Sequence, residues 1–151
     1  MDDIDLVLLA EMQRDARLSQ AALGARVGLS AAAVNRRLQR LVTEGVISRT
    51  VAVLAPDGLG HPLTIVANVK VADEKADLLD EMERHFTGCP QVQQCYYVTG
   101  DSDFVLVFLV RDMEQYRQLT RQLFFASGNV TRFTTQVVMK RAKVTLDVPL
   151  A

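Results

Sequence analysis

The chain has 151 residues, of which 49% are hydrophobic and 23% charged, and its formal net charge is −1. This composition is typical of a globular protein with a substantial hydrophobic core and excludes an intrinsically disordered chain. No run of about 18 uninterrupted apolar residues occurs, and the first residues are acidic where a secretory signal is basic. We therefore expect a cytoplasmic protein with no membrane partner.

The first fifty residues predict three short helices. Apolar residues at helical spacing indicate a helix over about residues 3–14. Ser19 is a plausible N-cap for a second helix, which Gly28 ends. Ser30 is a plausible N-cap for a third helix that runs to about Glu44. The glycine between the second and third helices predicts a tight turn there.

The third predicted helix has one apolar side and one polar, basic side. Its apolar residues are Val34, Leu38, Leu41 and Val42. Between residues 30 and 50 four arginines stand against one glutamate, so a local basic face exists in a nearly neutral protein. Short helix, glycine turn and capped amphipathic helix form a helix-turn-helix, whose second helix enters the major groove of double-stranded DNA. The alternative is three helices that only pack together, with the arginines on a solvated face.

Geometry and side-chain chemistry divide the candidate DNA contacts into two groups. Residues expected near base edges are Ser30, Ala31, Ala32, Asn35 and Arg36, and residues expected at phosphates are Arg37, Arg40 and Arg49. Asparagine can make a two-pronged contact with adenine and arginine with guanine, whereas phosphate contacts position the protein.

A linker follows the helices. Residues 47–54 are rich in β-branched side chains and predict an extended wing or a linker strand. Residues 55–62 contain two prolines and two glycines, which indicates a domain boundary. We therefore expect a DNA-binding domain at residues 1–50, a hinge at 51–62 and a second domain at 63–151.

The second domain alternates strands and helices. The predicted elements are a strand Thr64–Ala72, a helix Lys75–Thr87, strands Val92–Val98 and Phe104–Val110, a helix from Asp112 to about Phe125, and a strand Val130–Val144. The order βαββαβ predicts a ferredoxin-like sandwich, a four-stranded antiparallel sheet with both helices on one face. The whole chain is therefore expected to be α+β. Apolar residues on the other sheet face favour dimerisation.

Two stretches carry a resemblance to a known family. Residues 18–48, LSQAALGARVGLSAAAVNRRLQRLVTEGVIS, resemble the Lrp/AsnC (leucine-responsive regulator) family. Residues 98–104, VTGDSDF, resemble that family's Gly-Asp-x-Asp turn, and residues 112–116 and 137–139 resemble parts of its ligand-sensing domain. The resemblance implies homodimers that assemble into octamers or other dimer-based forms, with an amino-acid effector held between dimers near this turn.

The resemblance also implies which residues hold the effector. The candidates are Tyr97, Thr99, Gly100, Asp101 and Asp103 of one subunit, with Thr134 and Gln136 of a neighbour. Asp101 or Asp103 can accept hydrogen bonds from an α-ammonium group, and backbone N–H groups of the turn can bind an α-carboxylate. The alternative is an Asx-type turn, whose carboxylates accept from their own backbone.

Together these features predict a sequence-specific transcription regulator, associated with the nucleoid, whose assembly responds to an amino acid. The alternative is an architectural nucleoid protein that binds DNA and ignores ligands. No nucleophile–base pair, metal cluster or phosphate loop supports an enzyme, so we expect no catalysis, no cofactor and no bound metal. Cys89 and Cys95 lack the spacing of a zinc or redox site and are expected to be core thiols.

Overall fold

A computed structural model describes residues 1–150, and the chain divides into two compact units. The helical unit comprises residues 1–53 together with the tail from residue 143, and the sheet unit comprises Leu54–Ala142. The predicted domain ranges placed the tail in the second domain. The tail lies with the helical unit because the Gln13 amide donates to the Val148 carbonyl at 3.1 Å and accepts from the Val148 N–H at 2.7 Å.

The helical unit contains three helices close to those predicted. They are α1 (Asp3–Arg14), α2 (Gln20–Val27) and α3 (Ala31–Thr43). The hydroxyl of Ser19 caps α2 and that of Ser30 caps α3, as the sequence predicts. Gly28 follows α2 with φ 70°, a left-handed conformation that favours glycine.

The core of the helical unit is small. Leu8, Leu23 and Val34 are buried against one another. Val42 was predicted on the buried side of α3, but its side chain is 55% exposed. At 100° per residue Val42 lies about 80° from Val34 around the helix, at the margin of the apolar side. The prediction for Val42 is therefore wrong, whereas Leu41 is buried as expected.

The segment between the two units forms no strand. Residues 48–55 have no regular secondary structure, so the predicted wing or linker strand over residues 47–54 is not formed. Its apolar side chains have no sheet to pack against, and Val53 is 94% exposed. A single 3-10 turn, Asp57–Leu59, follows within the predicted hinge.

The sheet unit has the predicted order βαββαβ. Its elements are β1 (Leu63–Val71), α4 (Ala76–Thr87), β2 (Val92–Tyr97), β3 (Phe104–Val110), α5 (Met113–Thr120) continued by a π-helical turn (Arg121–Phe125), and β4 (Val130–Val137). The strands form one antiparallel sheet in the order β2-β3-β1-β4. The ferredoxin-like prediction is confirmed.

The core of the sheet unit lies between the sheet and its two helices. Alternate residues of the central strands are buried on this face: Ile65, Ala67, Val69 and Val71 of β1, and Phe104, Leu106, Phe108 and Val110 of β3. Phe86 of α4 packs edge-on against Phe104, and Tyr116 of α5 packs edge-on against Phe108. Both helices therefore cover the same face, because strand side chains alternate between faces.

The last strand is shorter than predicted. It ends at Val137 rather than Val144. Val137 pairs with Ile65, and the N–H of Val138 donates to the Thr64 carbonyl next to the start of β1. Only Leu63 of β1 lies beyond Thr64, so little of β1 remains to pair with a longer β4. No helix in residues 1–150 is long and apolar enough to cross a membrane.

Candidate DNA-binding face and effector turn

The exposed side of α3 carries the residues predicted to approach base edges. Ser30, Ala31, Ala32 and Arg36 are exposed, and Asn35 is half-buried. The Ser30 hydroxyl is already used as the cap of α3, where it accepts from the Ala33 N–H at 3.2 Å. Its contact with DNA would therefore come from the remaining lone pair or from its O–H.

Asn35 is held by a residue that the sequence did not single out. The Nε2 of Gln20, at the start of α2, donates to Asn35 Oδ1 at 2.8 Å. The two residues are 15 positions apart. A glutamine beside a helix cap has no periodic signal that predicts this contact, and only the packing of α2 on α3 brings the two amides together.

Two arginines predicted at phosphates are ion-paired within the helical unit. Arg37 Nη1 lies 2.8 Å from Asp2 Oδ2 and 2.9 Å from Asp5 Oδ1. Arg40 Nη2 lies 2.5 Å from Asp5 Oδ2. Asp5 is fully buried, so α1 and α3 are joined by a carboxylate that faces two guanidinium groups. A phosphate contact by Arg37 or Arg40 would have to compete with these acidic partners.

The pKa of Asp5 reflects this arrangement. Burial raises the pKa of the carboxyl, because the charged form loses its water. Hydrogen bonds from the Asp2 N–H, Arg37 and Arg40 outweigh that effect and lower the pKa from 3.8 to about 2. Asp5 is therefore ionised at neutral pH.

The other two predicted cations have no such partners. Within residues 1–150, neither Arg36 nor Arg49 forms an ion pair or a side-chain hydrogen bond, and both are exposed. Arg36 lies on α3, and Arg49 lies a few residues after it. These two arginines are available to DNA without loss of an internal contact.

The turn between β2 and β3, residues 98–103, is called the effector turn, and its two aspartates lie in different environments. Asp103 is buried; its Oδ2 accepts from the Val71 N–H at 2.7 Å, and its Oδ1 lies 3.1 Å from Lys70 Nζ. It bonds the backbone of β1 rather than its own turn, so it differs from an Asx-type turn. Asp101 and Thr99 are exposed and have no hydrogen-bond partner in the described part of the chain. Of the two carboxylates, Asp101 is the one open to a ligand.

The backbone conformation at residue 100 requires a glycine. Its φ is 115°, a conformation that residues with a side chain rarely adopt. The glycine reverses the chain between β2 and β3 and leaves the backbone groups of the turn exposed. Exposed N–H groups in such a turn suit an anionic group such as an α-carboxylate.

The remaining candidates lie on opposite edges of the sheet. Tyr97 ends β2, packs against Phe104 on the helix-covered face and is 57% exposed. Thr134 and Gln136 lie on β4, on the other face, where Thr134 Oγ1 accepts from Asn68 Nδ2 at 3.3 Å. Three strand spacings separate β2 from β4, or roughly 14 Å. One amino acid therefore cannot contact both groups within one subunit.

The described residues contain neither a cluster suited to a metal ion nor a reactive cysteine. In residues 1–150 no group of three His, Cys, Asp or Glu side chains is placed to hold a metal ion. Cys89 is buried and Cys95 is partly buried, and burial raises the pKa of the Cys95 thiol. A raised pKa keeps this thiol protonated and unreactive at neutral pH.

Comparison with known proteins assigns both halves of the chain. Residues 1–48 match a family described as winged helix-turn-helix DNA-binding, and residues 64–148 match the Lrp/AsnC ligand binding domain. The chain is 39% identical over 150 residues to a helix-turn-helix-type transcriptional regulator of Sinorhizobium fredii, covering 99% of this chain and 89% of that protein. The two halves therefore occur in the order that the sequence predicts.

Two solved structures are similar along the whole chain. An AsnC family transcriptional regulator from Agrobacterium tumefaciens has a TM-score of 0.94 and 29% identity, covering 99% of this chain and 97% of that one. A transcriptional regulator from Neisseria meningitidis, solved as an L-Met complex, has a TM-score of 0.92 and 25% identity, with the same coverage.

Proposed function

We propose that this chain, which belongs to the Lrp/AsnC family of transcriptional regulators, reads double-stranded DNA through α3 and responds to an amino acid bound at the turn between β2 and β3. A DNA-binding domain and a ligand-binding domain are both present. The proposal adds the chemical class of the ligand, the residues that hold it and the assembly that it changes. We propose no catalytic step, and we expect the protein to be bound to DNA in the cytoplasm.

The L-Met in the Neisseria meningitidis regulator supports an amino acid as the ligand class. In this chain the observation that carries the proposal is the contrast between Asp101 and Asp103. Asp103 fastens the turn to β1 and leaves Asp101 as the exposed carboxylate beside free backbone N–H groups. An α-ammonium group on Asp101 and an α-carboxylate on the N–H groups would fix the part that all amino acids share.

A second subunit completes this site. Because Tyr97 lies at one sheet edge and Thr134 and Gln136 at the other, the second pair reaches the effector only from a neighbouring chain. The effector then contacts two subunits at once and stabilises the assembly that brings them together. Oligomerisation and ligand binding are coupled for this geometric reason.

The sheet face opposite the helices supports a dimer. Its centre is apolar and incompletely buried, and consists of Val66, Val105, Val107 and Leu109. A second copy of the same face would remove these side chains from water, which is the common solution for an exposed apolar sheet. We propose a homodimer through this face, with dimers assembling into octamers or other even-numbered forms. Each dimer would present two α3 helices to successive turns of the DNA.

A thermal-shift screen of the purified protein against the twenty amino acids tests the effector. A ligand present at 100 times its Kd stabilises the folded protein by about 2.7 kcal/mol, which raises the melting temperature by several degrees. We expect one or a few amino acids to give this shift. Asp101→Asn should abolish it and leave the melting temperature of the free protein unchanged.

Asp103→Asn is the matched control at the same turn. It removes the partner of Lys70 and weakens the bond to the Val71 N–H, so it should lower the melting temperature without ligand. If no amino acid shifts the melting temperature or the oligomer size at 10 mM, on the order of a weak Kd, the effector proposal is wrong. The architectural, ligand-independent protein would then be the better description. Competition with random DNA separates the two further, since specific sites win by about 10³ or more.

A further inference from the structure

Two cations lie side by side on the sheet face opposite the helices, at the end of the sheet that carries the effector turn. Lys70 of β1 pairs in register with Arg132 of β4, and strand alternation directs both side chains away from the helices. Directly opposed residues of antiparallel strands have Cβ atoms roughly 4.5–5.5 Å apart, and like charges in these positions repel. Lys70 and Arg132, here called the cation pair, therefore concentrate positive charge at this end of the face.

Only one member of the cation pair has a close counter-charge. Lys70 Nζ lies 3.1 Å from Asp103 Oδ1. The other oxygen of this buried carboxylate accepts from the Val71 N–H at 2.7 Å, so Asp103 has no oxygen left for Arg132. Glu74 Oε1 is 4.0 Å from Lys70 Nζ, which is too far for a hydrogen bond. Arg132 is exposed and forms no ion pair or side-chain hydrogen bond within the described part of the chain. The cation pair therefore carries an excess of positive charge.

The cation pair adjoins the effector turn of the same subunit. Asp103 is the last residue of that turn, and its N–H donates to the Val69 carbonyl at 2.9 Å, which holds the turn beside β1. The Lys70 side chain is 36% exposed, and its ammonium group has three N–H donors, of which Asp103 takes one. A ligand held at the turn by its α-ammonium and α-carboxylate groups lies beside this ammonium group. Its side chain needs only a short reach to contact the cation pair.

We propose that the effector is an acidic amino acid, aspartate or glutamate, whose side-chain carboxylate binds Lys70 and Arg132. The inference rests on the proposed effector site at the turn and deepens it by naming the side chain of the ligand. A carboxylate between the two cations forms charge-assisted hydrogen bonds and offsets their mutual repulsion. The planar guanidinium group of Arg132 can bind both carboxylate oxygens at once. A neutral side chain would leave Arg132 without a counter-charge.

The alternative is that the cation pair is only solvated, as many exposed charges are. The two roles differ in ligand selectivity, because a solvated pair gives no preference for a carboxylate over a carboxamide of the same shape. Glutamate with glutamine, and aspartate with asparagine, are therefore the decisive comparisons. Arg132 is the better site for substitution, because it has no partner in the described residues. Loss of Lys70 would instead leave the buried Asp103 carboxylate without its cation.

The experiment is a calorimetric titration of the full-length protein with each of these four amino acids, all neutralised to the same pH. The wild-type protein should bind one acidic amino acid at least about tenfold more tightly than its amide, which is the range for hydrogen bonds between charged groups. Arg132→Gln should reduce this preference to about threefold or less and leave the melting temperature of the free protein unchanged. Added salt should also weaken the preference, because the cation pair is partly exposed.

Two further variants make the result specific. Lys70→Gln should reduce the same preference, at a lower melting temperature because of its bond to Asp103. Arg121→Gln is the matched control, because Arg121 is also an exposed arginine of the sheet unit without an ion pair or side-chain hydrogen bond in the described part of the chain. It should leave the preference unchanged. Sodium acetate at equal ionic strength controls for a general effect of salt.

The outcomes separate this inference from the function on which it rests. An acidic amino acid that is preferred by the wild-type protein and by Arg121→Gln, but not by Arg132→Gln, supports the inference. Binding of a neutral or basic amino acid in preference to both acidic ones overturns the inference and leaves the effector site in place. A preference for an acidic amino acid that neither Arg132→Gln nor Lys70→Gln reduces overturns the role of the cation pair. If no amino acid binds, the proposed effector site itself is wrong, and this inference with it.

Discussion

Replacing Asp5 by asparagine removes the charge that joins α1 to α3. The carboxylate is fully buried, and it accepts from the Asp2 N–H at 3.0 Å as part of the capping box of α1. It also faces Arg37 at 2.9 Å and Arg40 at 2.5 Å. Asparagine has nearly the same shape, but its NH₂ group must point at one of the arginines or at the capping N–H. Both guanidinium groups would lose their buried counter-charge.

The magnitude follows from the pKa of Asp5. The lowering from 3.8 to about 2 corresponds to at most about 2.4 kcal/mol at pH 7. Solvent screens part of this, since the Arg40 side chain is 44% exposed, and we expect Asp5→Asn to cost about 1.5 kcal/mol. A group with a lowered pKa stabilises the protein fully above its unfolded pKa. The cost should therefore be constant from pH 7 to 5 and fall to about half near pH 3.

The distribution of aromatic residues allows the two units to be followed separately. All three tyrosines and six phenylalanines come after residue 85, so tyrosine fluorescence reports the sheet unit alone. Circular dichroism at 222 nm, by contrast, includes α1, α2 and α3. In urea, Asp5→Asn should shift the dichroism transition to lower denaturant and leave the fluorescence transition in place. Asp3→Asn, at an exposed acid of the same helical turn, is the control. An equal cost at pH 7 and pH 3 would refute the electrostatic account.

Three further changes test other contacts. Gly24→Ala would place a Cβ against the carbonyl oxygen of Leu29 and should cost more than about 2 kcal/mol in a thermal melt of the helical unit. Tyr116→Phe removes the 2.8 Å hydrogen bond to the Thr135 hydroxyl and should cost about 1 kcal/mol by calorimetry. Asp2→Asn removes an exposed carboxylate from its arginine partner on α3. It should raise the affinity for random DNA about threefold and steepen its salt dependence, as measured by titration at several salt concentrations.

The parts of the fold that follow local rules were predictable. Ser19 and Ser30 cap their helices through bonds to residues three positions on, and Gly28 ends a helix through its own backbone conformation. β3 was predicted to the residue because its alternating buried positions lie between turns. The end of β4 and the missing strand at residues 47–54 depend instead on whether a partner strand is present. The sequence of a single segment does not show whether such a partner strand is present.

In the candidate site, too, some features were predictable from the sequence and others were not. Residue types and their helical faces were predictable for Asn35 and Arg36, because the faces follow from the helical period. The partner of Asn35 is Gln20 on another helix, and the partner of Asp103 is the N–H of Val71, 32 residues away. Nothing in the sequence near Asp103 distinguishes it from Asp101, yet one carboxylate is buried and the other exposed. Contacts of this range require the tertiary structure.

The pairing of charges on α3 bears on which kind of DNA binding the chain performs. The four arginines between residues 30 and 50 predict a local basic face, but Arg37 and Arg40 are balanced by the carboxylates of Asp2 and Asp5. Among residues 1–150, Arg36 and Arg49 remain as cations without internal partners. An architectural protein relies on many such cations, since non-specific affinity comes almost entirely from phosphate neutralisation. A face with few unpaired charges gains more from base edges than from phosphates. The arrangement therefore favours sequence-specific reading over general DNA packaging.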